Sequence, residues 1–100
     1  MIYLIATLTI EPGSLPKFIG AAKTCIEATR QEPGCISYDL TQSLTDENTV
    51  YFVERWENQA AIDAHLVAPH FKVWREAGSP YFTSRKIEII DADEDRVKVL

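Results

Sequence analysis

Residues 52–74 read FVERWENQAAIDAHLVAPHFKVW, and this stretch decides the fold. From Thr49 to Glu57 the chain is rich in β-branched and aromatic residues, the composition of a half-buried strand. Asn58 then opens a helix that carries His65, breaks at Pro69 and restarts with His70, Phe71 and Trp74. Proline lacks the N–H a helix interior needs and biases the residue before it away from helical geometry, which accounts for the break. Both histidines of the chain, both tryptophans and a strand-borne glutamate, Glu54, fall in this stretch. It reads as the wall of an aromatic pocket.

Upstream, Ile2, Leu4, Ala6, Leu8 and Ile10 alternate with Tyr3, Ile5, Thr7 and Thr9, the period of a strand with two distinct faces. Pro12-Gly13 makes a turn, Ser14 is placed to cap a helix, and Pro16 falls in the first helical turn. Leu15, Phe18, Ile19, Ala22, Ile26 and Thr29 recur at helical spacing until Glu32-Pro33-Gly34 ends the helix. A second strand runs from Cys35 to Gln42, and the polar turn Thr45-Asp46-Glu47-Asn48 folds it back onto the third as a hairpin. A last strand is expected over Thr83 to Asp91.

The order βαββαβ predicts an α+β, ferredoxin-like fold with an antiparallel sheet and its helical segments on one face. One strand parity includes Ile5, Tyr51, Val53 and Ile87, and the other includes Leu4, Phe52, Trp56 and Ile90. Whichever parity meets the helices, the other keeps apolar area, so a homodimer packed through its sheet faces is expected. Residues 2–92 make the domain. Residues 93–100 are an acidic turn and a short alternating tail suited to pairing with a sheet edge.

A chain of 100 residues is one domain, and at this size folding buries only about two thirds of the unfolded surface. The net charge is -5 and Lys and Arg form no cluster or stripe, which argues against nucleic acid and anionic membrane as partners. The apolar N-terminus alternates with threonines and has no basic flank or small-residue cleavage site, so it reads as a strand and the expected location is cytoplasmic. Cys25 and Cys35 form no CxxC pair and have no adjacent basic residue. Cys25 lies on the apolar helix face as a structural thiol, and Cys35 starts a strand.

Imidazole titrates in the range useful to a general base, and the helix aims His65 toward the sheet beside Ile62 and Leu66. The alternative is a core histidine bonded to a carbonyl. His70 follows Pro69 at a helix start, where a structural or capping role is favoured. The two histidines are five apart across a proline, with no third ligand of clear spacing, so no metal is expected. Glu54 shares parity with Phe52 and Trp56. It either orients a histidine or acts as a base, or it forms a salt bridge with Arg85 or Lys86. Trp56, Phe71 and Trp74 supply aromatic surface that stacks a planar ligand or simply fills core. Tyr51 and Tyr81 offer hydroxyls at the edge of apolar surface, and Arg55 and Arg85 offer charge for an anion or for surface pairing.

These residues carry a resemblance. The first strand, EPGCISYDL at 32–40, FVERW at 52–56 and AHLVAPHF at 64–71 resemble the antibiotic biosynthesis monooxygenase family of small dimeric α+β barrels, over residues 2–92. Glu54, Trp56, His65, His70 and Phe71 match the family's Glu-x-Trp strand and its two helix-borne histidines. The resemblance implies a cavity between sheet and helices in each subunit. It also implies cofactor-free oxidation by O2 of a quinol, an anthrone or a similar electron-rich aromatic. The haem-degrading branch of the superfamily is set aside, because Thr7, His65 and Arg75 stand where it has an Asn, a Trp and its iron-ligating His. Two other readings remain open, an isomerase of a small oxygenated metabolite and a noncatalytic dimeric binder of aromatic ligands.

Overall fold

Alternation along the first strand becomes one buried face and one half-exposed face. In the computed structural model, which describes residues 1–100, β1 (Ile2–Ile10) buries every second residue from Ile2 to Ile10. The chain continues through α1 (Leu15–Thr29), β2 (Cys35–Gln42), β3 (Thr49–Trp56), α2 (Gln59–Leu66), α3 (Pro69–Gly78), a 3-10 turn at Ser79–Tyr81 and β4 (Phe82–Asp91). The four strands form one antiparallel sheet in the order β2-β3-β1-β4, with β2 and β3 joined as the expected hairpin. This is the ferredoxin-like α+β fold.

All three helices cover the face formed by Ile2, Leu4, Ala6 and Leu8 of β1 and Val50, Phe52, Glu54 and Trp56 of β3. From α1, Phe18, Ala22, Cys25 and Thr29 are buried at helical spacing. Phe18 meets Phe52 and Trp74 edge to face, at ring-centroid distances of 6.5 and 6.3 Å, which locks α1 to both the sheet and α3.

Register corrects one parity. Ile87 pairs with Ala6 and therefore faces the helices, whereas Ile90 pairs with Tyr3 on the helix-free face. The β1–β4 ladder sets this parity, and the sequence of β4 alone, with Ile87, Ile89 and Ile90 on both faces, did not. The helix-free face thus carries Ile5, Tyr51, Val53 and Ile90, none of them fully buried.

Three local expectations also change. Ser14 occupies the N-cap position of α1, but its backbone is already helical and its hydroxyl makes no cap bond. Extended geometry, which aims the cap oxygen at the first free N–H groups, is what Asn58 has instead; its Oδ1 accepts from the Ala61 N–H at 2.9 Å. Helix α1 ends at Thr29, three residues before Glu32, so Glu32-Pro33-Gly34 belongs to the following turn. Finally, the tail does not pair with a sheet edge of its own subunit: Asp93 accepts from the Asp95 N–H at 3.0 Å, a 3-10 turn forms at Glu94–Arg96, and Val97 to Leu100 lie outside the sheet.

Candidate active site

A single glycine lets two distant parts of the sequence meet. Gly34 has φ +85°, and a Cβ built on it would lie 2.6 Å from the Cβ of Ala61 in α2. Only glycine permits both the conformation and the approach. The turn after α1 therefore sits against α2, and Glu32 reaches both histidines. Its Oε2 lies 2.7 Å from Nδ1 of His65 and 2.9 Å from Nε2 of His70.

His65 is enclosed by rings. Phe71, Trp56 and Tyr38 have centroids 4.7, 4.9 and 5.5 Å from its imidazole. It also lines a cavity of about 60 Å³ between sheet and helices, together with Tyr38, Phe52, Glu54, Phe71 and Trp74. Leu4, Ala6, Leu8 and Ile87 floor this space, Leu66 and Phe82 close its sides, and Arg75 and Arg85 bring the cationic groups. Burial pushes the His65 pKa below its ordinary value of 6.5; the hydrogen bond and charge of Glu32 oppose this, and nearby His70 adds slightly to the fall.

Glu54 projects from β3 into the same cavity. It accepts the indole N–H of Trp56 at 2.9 Å and makes no ion pair with Arg85 or Lys86. Lys86 lies on the opposite sheet face, paired with Glu88 at 3.5 Å. Burial raises the Glu54 carboxyl from 4.5 to about 7, the Trp56 bond works against the rise, and the charge of Glu32 adds to it.

The fold gathers His65, Glu54, Phe71, Trp74 and Arg85 around one space and leaves Trp56, His70, Tyr51 and Tyr81 out of its lining. Trp56 is fully buried and lines no part of the cavity; it meets it through its hydrogen bond to Glu54 and its ring contact with His65. His70 lies beside the cavity wall with its Nε2 on Glu32. Tyr51 pairs with Thr7 and Thr41 on the helix-free face, so it cannot reach a ligand in this cavity. Tyr81 sits in the 3-10 turn, half-buried against the core and away from the cavity lining. The indole N–H of Trp74 has no partner and lies over Gly78.

Glu32 and Tyr38 are the residues sequence reading missed. Tyr38 had a signal, since β2 in a hairpin with β3 sets it opposite Glu54. Glu32 had none in spacing, being 33 residues from His65. By donor type, Glu32, His65 and His70 form a group able to hold a divalent cation, with donor atoms within 4.8 Å of one another. Donors around a cation with bonds of about 2.1 Å sit roughly 3.0–3.4 Å apart. Here one carboxylate oxygen lies between two ring nitrogens at hydrogen-bond distances, an arrangement suited to sharing protons.

A family model described as antibiotic biosynthesis monooxygenase matches residues 1–77. The chain belongs to the antibiotic biosynthesis monooxygenase family. An uncharacterised Synechocystis protein is 36% identical over 88 residues, 88% of this chain but only 59% of that protein's length. Bacillus subtilis YcnE, whose monooxygenase name is provisional, is 32% identical over 72% of this chain and 76% of its own. The crystal structure of an antibiotic biosynthesis monooxygenase superposes with a TM-score of 0.87 at 29% identity, covering 93% of this chain and 99% of that one. No helix is long and apolar enough to cross a membrane.

Proposed function

We propose that this protein is a cofactor-independent monooxygenase that oxidises a small electron-rich aromatic, of quinol or anthrone type, with O2. The observation that carries the reading is the buried imidazole of His65, biased toward its neutral form, in the wall of an apolar cavity. In such a reaction the substrate is the reductant. The protein must then supply a base near neutral pH, a seat for a flat apolar molecule, and shelter from bulk water.

His65 takes the proton of the substrate's hydroxyl or activated C–H. The anion passes one electron to O2, and the resulting radical and superoxide combine to a peroxide. Loss of water leaves a quinone, so one atom of O2 enters the product and the other departs in water. Glu54, with its carboxyl near 7, faces the same cavity and is suited to protonating the departing oxygen. Phe71 and Trp74 form the seat. A cavity of about 60 Å³ favours the small end of this substrate class.

The working unit in this reading is a cytoplasmic homodimer, packed through the helix-free face that carries Ile5, Tyr51, Val53 and Ile90. One set of observations supports a second reading. Glu54 and His65 give an acid and a base in one cavity, with Arg75 and Arg85 to hold an anionic substrate, as an isomerase of a small oxygenated metabolite requires.

Oxygen uptake by metal-stripped protein with a panel of naphthoquinols and anthrones, set against autoxidation and the His65→Ala variant, separates the two. Saturable uptake lost in the variant supports the monooxygenase. Uptake that never exceeds autoxidation, while ligands still bind, overturns it in favour of the isomerase or of a noncatalytic binder.

A further inference from the structure

A base buried among rings has to be held in one tautomer, because only a bare nitrogen facing the substrate can accept a proton. Free imidazole exchanges its proton between its two nitrogens. In this protein the nitrogen remote from Glu32, Nε2 of His65, makes no hydrogen bond with any protein group, and the His65 ring lines the cavity. As a carboxylate, Glu32 can only accept, so a bond from Nδ1 at 2.7 Å requires the proton to sit on Nδ1. The same Oε2 takes a second N–H, from Nε2 of His70 at 2.9 Å. Two donors on one oxygen, with the Glu32 side chain 13% exposed, hold the carboxylate in a single orientation.

We propose that Glu32 is the positioning residue for the base. Clamped by His70, it fixes His65 as the Nδ1–H tautomer, leaves Nε2 bare toward the cavity, and faces the imidazolium that forms with a counter-charge. The proton balance is simple: the substrate's proton moves to Nε2 of His65, the Nδ1 proton stays on its bond to Glu32, and the negative charge left on the substrate is matched by the new positive ring. This role for the ring rests on His65 being the base of the proposed reaction. The tautomer itself does not.

The arrangement also gives His70 a task. It is the more exposed of the two rings, with 24% of its side chain accessible against 3% for His65, and it touches the shared oxygen from the solvent side. The titratable and charged groups around His65 are Glu32 from the turn after α1, His70 and Arg75 from α3, Tyr38 and Glu54 from the sheet, and Arg85 across the cavity. Of these, Glu32 is the one that raises the His65 pKa by hydrogen bond and charge.

The test is a long-range proton–nitrogen NMR correlation of the imidazoles in uniformly 15N-labelled protein, with His70→Ala used to assign the two rings. In wild type at pH 8, the expected pattern is His65 protonated at Nδ1 and bare at Nε2, with His70 protonated at Nε2. Glu32→Ala should release His65 into a mixture of tautomers. Glu32→Gln keeps an acceptor oxygen and removes the charge. It should keep the tautomer, lower kcat about 10-fold or more with little change in KM, and move the acidic limb of kcat/KM to lower pH. A wild-type His65 carrying its proton on Nε2 overturns the proposal. So does a Glu32→Ala protein in which His65 keeps the Nδ1–H tautomer, and so does a Glu32→Gln enzyme with the wild-type kcat and pH profile. The tautomer is read without substrate or turnover, so failure of the oxygenase reading and failure of the Glu32 clamp are separate results.

Discussion

At the scale of the residue, two titrating groups with opposite displacements share one cavity. His65 is held below 6.5, mainly by burial, so it is available as a base at neutral pH and somewhat into the acid range. The kcat/KM profile should therefore fall on its acid side with a midpoint below 6.5. A midpoint at or above the ordinary histidine value would show that another group limits the rate. His65→Ala should lower kcat by about 10²–10⁴-fold, the usual worth of a positioned base. Glu54 is displaced the other way, from 4.5 to about 7 by burial. A carboxyl raised in the folded state contributes stability that is fully present below the unfolded pKa and lost as pH rises through the folded one. Glu54→Gln removes this dependence. The stability of the variant relative to wild type should rise by on the order of 3 kcal/mol between pH 4.5 and pH 8, for a shift from 4.5 to about 7, as read by urea unfolding at both pH values. His65 acts oppositely on stability, favouring the fold above its unfolded pKa and costing stability as pH falls.

At the scale of the element, the site depends on how three short pieces end. Asn58 caps α2, Pro69 restarts the helix as α3 with its own N-terminus, and Gly34 lets the turn after α1 close against α2. The break between α2 and α3 lets His65 and Phe71 meet at 4.7 Å while Trp74 reaches across to Phe52 at 5.3 Å. Gly34→Ala should be costly on two counts, since φ is +85° and the new methyl would stand 2.6 Å from the Ala61 Cβ. A loss of roughly 1–3 kcal/mol is expected, with a fall in activity larger than Asn58→Ala produces, because the Glu32 turn is pushed off α2. Thermal unfolding and oxygen uptake on both variants test this. Equal activity losses at equal destabilisation would mean that the turn carries no more of the site than the cap does.

At the scale of the whole molecule, the sheet has a covered face and an open one. The open face presents Ile5, Val53 and Ile90 between polar neighbours such as Arg55, Lys86 and Glu88, a surface that suits self-association better than permanent exposure. Size-exclusion chromatography with light scattering should give a dimer at micromolar concentration, and Val53→Glu should shift it to monomer. A wild-type monomer under those conditions would refute the sheet-to-sheet dimer. The α+β order, the hairpin and the broken helix were all legible, because each rests on a local period or on a proline or glycine signal. His65, Glu54, Phe71 and Trp74 were legible as a group because they lie on three consecutive elements, β3, α2 and α3.

Tertiary structure alone decided the rest. The inward face of β4 came from its register on β1, which put Ile87 at the cavity and Ile90 outside. The same pairing logic removed Tyr51 from the cavity and brought Tyr38 into it, since a strand's parity means nothing until a partner fixes which face is covered. Glu32 is the clearest case. Its sequence neighbours mark it only as part of a helix stop, and it joins the site through a contact 33 residues away, made possible by the bare backbone of Gly34. The sequence by itself determined which residues make strands and helices and where they break, because those rules act over a few residues. Which side chains meet was decided by packing across the sheet, where separation along the chain carries no weight.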